Sequence, residues 1–147
     1  MKLYGLNNIV KCGTNIYYIN IVGERLHLLN VNCKTLYGVT IDKEEIDLID
    51  DVEMSDWLLN NLFDKEKDGV WCIDYLHNEG VKDFPYHRIE KDESGECYMF
   101  TRQGKFLMYI DYIRELQNAI HFYRDMFDGE FLYEDIDEKL KKLFKLI

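Results

Sequence analysis

Short runs of β-branched, aromatic and other apolar residues, broken by turn residues, fill the first fifty positions, and a helical period follows them. "NIVKC" (8–12) and "NIYYINIV" (15–22) are rich in β-branched and aromatic residues and flank Gly13-Thr14, which predicts a hairpin. Gly23-Glu24 separates that run from "RLHLLNV" (25–31), where Leu26, Leu28 and Val31 mark a half-buried strand. "LYGVTI" (36–41) and "EIDLI" (45–49) continue as short strands. In the second of these, Asp47 between Ile46 and Leu48 signals one wet face. Short strands joined by tight turns imply a small, strongly bent antiparallel sheet, for which barrel-like closure is one solution.

The period changes at "SDWLLNNLF" (55–63). Leu58, Leu59, Leu62 and Phe63 share one helical face, Ser55 is placed to cap it, and Asp56 suits the first turn. The charged "DKEKDG" (64–69) reads as a turn and "VWCIDYL" (70–76) as a strand, with a loop over 77–85. "YHRIEKD" (86–92) and "ECYMFT" (96–101) form a hairpin through Glu93-Ser94-Gly95, and Gln103-Gly104 leads into "KFLMYI" (105–110).

Two helices close the chain. Ile113, Leu116, Ile120, Tyr123 and Phe127 repeat at heptad-like spacing behind Asp111, a candidate cap. Tyr112, Ala119, Phe122 and Met126 broaden that stripe, and Asp128-Gly129 ends it. So broad an apolar face predicts a helix that fills a core, with Ile113, Leu116, Ile120 and Phe127 buried. Asp135 with Glu138 three residues on is a capping box for the last helix, which carries Lys139, Lys141, Lys142 and Lys145. The expectation is one α+β domain over 1–147. It has a β-rich part (1–50), a short helix (54–63), strands (70–110) and helices over 111–127 and 135–146.

Composition narrows the setting. A chain of 147 residues matches one ordinary domain, able to bury roughly 70% of its unfolded surface. No apolar run approaches a membrane span or a leader segment, so a cytoplasmic protein without membrane contact is expected. Single, scattered cysteines (Cys12, Cys33, Cys72, Cys97) fit reduced thiols packed as small apolar groups.

The formal net charge of −10 argues against direct nucleic-acid binding. Between residues 42 and 68, eleven acids face three lysines, a net of −8. Such a stretch repels phosphates and attracts basic protein surfaces. It supplies the candidate protein-binding residues Asp42, Glu44, Glu45, Asp47, Asp50, Asp51, Glu53, Asp64, Glu66 and Asp68. A merely solubilising role is the simpler alternative.

Motifs that carry chemistry are missing. There is no C-x-x-C or H-x-x-x-H, no glycine-rich phosphate loop and no E-x-K. His77-Asn78-Glu79 matches the H-x-E of zinc deaminases, but no paired cysteines follow it. His27, His77, His87 and His121 read mostly as surface or partly buried hydrogen-bonding groups. No catalytic residue, metal or cofactor is expected, although carboxylates can converge in space without a motif.

The order of several segments resembles a family of small phage and prophage proteins. The resemblance is carried by Asn8-Ile9-Val10, Tyr17-Tyr18-Ile19 and Gly38-Val39-Thr40-Ile41. It continues in Trp57-Leu58-Leu59 with Phe63, in Tyr112-Ile113-Arg114-Glu115-Leu116-Gln117-Asn118 and in Gly129-Glu130-Phe131-Leu132. Two segments depart from the pattern: 64–98 is long, and the lysine-rich helix after Leu132 is an addition. The resemblance implies a phage setting, where small acidic proteins without catalytic motifs often inhibit host proteins, as anti-CRISPR proteins do. The expected function is a non-enzymatic inhibitor of a bacterial nucleic-acid-handling defence protein. Its partner would be basic, a Cas effector nuclease or its guide complex. A phage structural or accessory protein acting by self-assembly (a dimer, for instance) is the alternative, and a hydrolase or nuclease with an unfamiliar carboxylate site the third.

Overall fold

Two open, five-stranded antiparallel sheets run through the protein in a computed structural model that describes residues 4–31, 38–73, 87–127 and 135–147. With three α-helices among those residues, the fold is α+β, and neither sheet closes into a barrel. The chain divides into two compact units, one of residues Met1–Val52 with Asp137–Ile147, the other of Glu53–Ile136. Several expected features lie outside the described residues: the start of the 36–41 strand, positions 74–76, the 77–85 loop, the Asp128-Gly129 stop, Cys33, His77 and the Phe127 side chain.

The first unit is built on β1 (Ile9–Cys12), β2 (Asn15–Val22), β3 (Arg25–Leu29), β4 (Gly38–Asp42) and β5 (Ile49–Asp51), in spatial order β4-β3-β2-β1-β5. Gly13 sits at φ +62° in the two-residue β1–β2 loop, a conformation that an L side chain disfavours. Alternation places Val10, Tyr17, Ile19, Leu26, Leu28, Ile41 and Ile49 in one buried cluster. On the other face, Tyr18 lies opposite Ile9 in the ladder. There α3 (Ile136–Leu143) contributes Lys141, whose ammonium donates to Asn7 Oδ1 at 2.7 Å and lies 4.3 Å from the Tyr18 ring centroid. A cation over an aromatic face is attracted by the ring quadrupole, so this lysine holds its helix to the sheet.

The end of α3 forms a Schellman motif. Leu146 N–H donates to the Lys141 carbonyl at 2.8 Å and Lys145 N–H to that of Lys142 at 3.1 Å, with Lys145 itself left-handed at φ 57°. Glycine normally takes that position, and a residue with a Cβ is disfavoured there.

Residues 45–49 depart from expectation. They are not a strand: Lys43–Leu48 is a 3-10 helix, and β5 begins only at Ile49. The Glu45 carboxylate accepts from the Asp42 backbone N–H at 3.4 Å, half of a capping box. Ile46 and Ile49 sit three apart, the 3-10 repeat, so both turn inward while Leu48 stays 54% exposed. Alternation over five residues does not separate these two periods.

The second unit is built on β6 (Asp64–Lys67), β7 (Val70–Cys72), β8 (His87–Lys91), β9 (Tyr98–Arg102) and β10 (Lys105–Tyr109), paired in simple succession. The expected 64–69 turn is thus mostly strand β6, and only Asp68-Gly69 turns. All four β6 residues are exposed, so no apolar periodicity marks the strand; backbone pairing with β7 alone makes it.

Register puts Trp71, Ile89 and Phe100 in one row across the sheet. Both α1 (Asp56–Leu62) and α2 (Ile113–Phe127) cover that face. Trp71 donates its indole N–H to Asn60 Oδ1 of α1 at 2.8 Å. Phe100 stacks on Tyr123 of α2 at 5.2 Å, and buried His87 lies 5.5 Å from each of those rings. Ser55 caps α1 as expected, accepting from Leu58 N–H at 3.1 Å. Asp111 does not cap α2: the Glu115 carboxylate does, accepting from the Asp111 and Tyr112 amides at 3.0 and 3.1 Å. Ile113, Leu116 and Ile120 are buried. The helix is a core helix, and the sheet it covers is the second one.

Ile120→Ala should lower stability by about 2–5 kcal/mol, the range for emptying a buried aliphatic site. Lys145→Gly should raise it by about 0.5–1 kcal/mol by relieving the left-handed strain. Urea unfolding of each variant measures both.

Candidate functional site

The ten acidic candidates divide between the two units, and the units treat them differently. Asp42, at the end of β4, is paired with Arg25, the residue opposite it in the ladder, at 2.7 Å. Asp50 lies opposite Lys11 across β1 and β5, and Asp51 is buried. Glu44, Glu45, Asp47 and Asp50 are exposed around Leu48 on the 3-10 helix and the first residues of β5. Among the described residues β5 is an edge strand, so this stretch borders a row of backbone groups without a sheet neighbour there. From 42 to 51 the chain carries six acids and one lysine, a net of −5.

In the second unit, Glu53 bridges to Tyr112 through the backbone. Asp64, Glu66 and Asp68 alternate with lysines on β6 and its turn. Glu66 accepts from Arg88 Nε at 2.8 Å and Asp68 pairs with Lys65 at 3.3 Å. Glu66 and Asp68 are thus neutralised locally. Glu44, Glu45, Asp47 and Asp50 are exposed along one short stretch of chain, while Asp64, Glu66 and Asp68 stand in mixed-sign surroundings.

One constellation was not legible from spacing. Asp56, the first residue of α1, accepts from Tyr98 OH at 2.5 Å through Oδ1 and from Lys91 Nζ at 2.8 Å through Oδ2. Lys91 also lies 5.8 Å from the Tyr98 ring centroid. The two donors stand 35 and 42 residues from Asp56 in sequence, so no local pattern announces them. Asp56 and Lys91, but not Tyr98, border an open cleft of about 440 Å³ lined also by Lys65, Asp68, Gly69, Val70 and Asp92.

A phenol, a lysine and a carboxylate beside a cleft resemble acid–base machinery, but their electrostatics point the other way. Hydrogen bonds from Lys91 and then Tyr98 hold the Asp56 carboxyl below its ordinary value. Burial pushes the Tyr98 phenol up, and its bond to Asp56 and the charge there push it further. A general base must be near its titration point at working pH, and this phenol is held neutral. Both Asp56 oxygens are already engaged. The arrangement is a clamp that fixes α1 to β8 and β9.

Among the described residues the thiols give no better nucleophile. Burial and the Asp92 carboxylate raise the Cys97 thiol, which keeps it protonated. Cys72 is wholly buried and Cys12 partly. His27 and His121 are half-buried with hydrogen-bond partners, Thr40 and Arg124; His87 differs from expectation in being fully buried. Among the described residues no group of three or more His, Cys, Asp or Glu could hold a metal ion, and no helix is long and apolar enough to cross a membrane.

No family model, curated protein or solved structure matches the chain.

The clamp makes stability depend on pH at both ends. Below about pH 4 the unfolded chain protonates Asp56 while the folded chain resists, so the stabilisation present above that value is lost as pH falls through the folded value. Tyr98 has the opposite sign: its contribution is whole below about pH 10 and is lost as pH rises through its raised folded value. Asp56→Asn should lower the melting temperature at neutral pH and flatten its fall between roughly pH 5 and 2. Tyr98→Phe should leave that acid limb mostly intact. Melting curves over this range check both.

Proposed function

We propose that this protein is a non-enzymatic inhibitor that docks its acidic 3-10 segment on a basic surface of a bacterial nucleic-acid-handling defence protein, a CRISPR effector nuclease being the favoured target. The observation that carries the reading is the exposure of Glu44, Glu45, Asp47 and Asp50 around Leu48, with only Lys43 as a cation in that stretch. An exposed apolar side chain flanked in sequence by exposed carboxylates combines a contact that excludes water with a field that steers a basic partner. Nucleic-acid-handling enzymes carry such basic clefts to hold phosphates, and a fixed array of carboxylates competes for them. The segment-by-segment resemblance to small phage proteins supports the same reading, with the bacterial cytoplasm as the setting it implies.

A phage structural or accessory role is the second reading. What favours it is the aromatic pair Phe106 and Tyr109 on edge strand β10, both half-exposed with ring centroids 5.0 Å apart. Exposed aromatics on an edge strand suit assembly with other chains.

A DNA- or RNA-cleavage assay with a purified effector complex separates the two. Inhibition at near-stoichiometric ratio is expected, with an association rate that drops by roughly tenfold or more as salt rises. Replacing Glu44 and Asp47 by Lys should abolish inhibition while leaving the melting temperature near that of the parent. Full cleavage at large molar excess across the effector classes, with no complex at low salt, would discard the inhibitor reading.

A further inference from the structure

We propose that copies of this chain associate head to tail, the lysine-rich end of α3 in one copy seating on the acidic 3-10 segment of the next. Both elements belong to the first unit, and they lie on opposite faces of its sheet. Side chains alternate along β2. Tyr17 and Ile19 point into the buried cluster on which Ile46 of the 3-10 segment packs. Tyr18, between them, points the other way and meets Lys141 of α3. The segment therefore covers one face and the helix the other.

The two coverings carry opposite charge. From 43 to 50 the chain has four acids (Glu44, Glu45, Asp47 and Asp50) and one lysine, a net of −3. From 139 to 147 it has four lysines and no acidic side chain, a net of +4. All four of those acids are exposed, as are Lys142 and Lys145. Each stretch also exposes one large apolar residue, Leu48 on the acidic side and Ile147 on the basic side. Apolar groups flanked by charges of opposite sign on the two partners give both water exclusion and steering.

Both elements are anchored, so little ordering is needed when they meet. The 3-10 segment joins β4, at one edge of the sheet, to β5, at the other, with Ile46 seated in the cluster between them. α3 is tied to Asn7 and Tyr18 by Lys141, and at its end the Leu146 carbonyl accepts from Val31 N–H at 3.2 Å.

Geometry decides the kind of assembly. Because the complementary groups sit on opposite faces, two copies cannot satisfy both contacts in one closed pair. Each added copy leaves one acidic and one basic face unmatched, so growth continues. Exposed charges supply most of the attraction, which makes the assembly weak, concentration-dependent and sensitive to salt. The acidic stretch is the one proposed above to dock on a basic partner. Self-association involves no other protein, so its failure and the failure of that reading are told apart.

Sedimentation equilibrium of the whole chain tests the contact. At low salt the average mass should climb from 17.7 kDa past twice that value as concentration rises towards about 1 mM, and return to monomer in roughly 0.5 M salt. Glu44→Lys with Asp47→Lys spoils the acidic face, and Lys142→Glu with Lys145→Glu spoils the basic one. Each double variant alone should associate more weakly by roughly tenfold or more. Mixed in equal amounts, the two retain one parental contact between them and should form one-to-one pairs that grow no further. That pairing also shows that each variant is folded. A parent that stays monomeric at low salt up to about 1 mM overturns the proposal. So does a parent whose mass levels off at twice the monomer, because a closed pair cannot use two opposite faces. Either double variant associating as tightly as the parent overturns it as well.

Discussion

Trp71 is among the largest side chains removed from water, and its indole N–H has to find an acceptor inside. Asn60 supplies it from α1, which fixes where that helix sits on the second sheet. One turn earlier Asp56 takes the Tyr98 hydroxyl and the Lys91 ammonium, so α1 is held by groups from three neighbouring strands. The apolar residues Leu58, Leu59 and Leu62 supply the bulk of the burial, but they are non-directional. The directional bonds select one placement among the many that would bury the same area.

The clamp also explains why a cleft with attractive chemistry on paper has the electrostatics of a joint. Each member suppresses the reactivity of the next: the lysine and phenol keep the carboxylate ionised, and the carboxylate keeps the phenol protonated. Function is better sought where charge is left uncompensated. In the second unit acids and bases alternate, while the 3-10 segment of the first exposes three carboxylates beside Leu48 and β5 adds Asp50. The distinction between a neutralised and an unneutralised acidic stretch lies in neighbours such as Arg88, which are distant in sequence from the acids they meet.

Periodicity made much of this fold legible. The hairpin at Gly13-Thr14, the Ser55-capped helix and the broad stripe of α2 follow from local rules, because each repeats over several turns or pairs. β6 escaped because a strand wet on both faces has no apolar alternation, and residues 45–49 escaped because five residues fit both a strand and a 3-10 turn. Asp111 lost its capping role to Glu115, whose longer side chain reaches back to two amides.

By itself, the sequence determined the fold class, the N-terminal cap of α1, the core character of α2 and the acidity of the 42–68 stretch. These depend on interactions between residues a few positions apart, which spacing records directly. Tertiary structure alone decided that the strands form two open sheets and that the acids divide into an exposed patch and a mixed-charge edge. It alone brought Lys91 and Tyr98 onto the Asp56 carboxylate. Each of these is a pairing over tens of residues, set by which backbone edges and apolar faces meet, and no local pattern encodes that meeting.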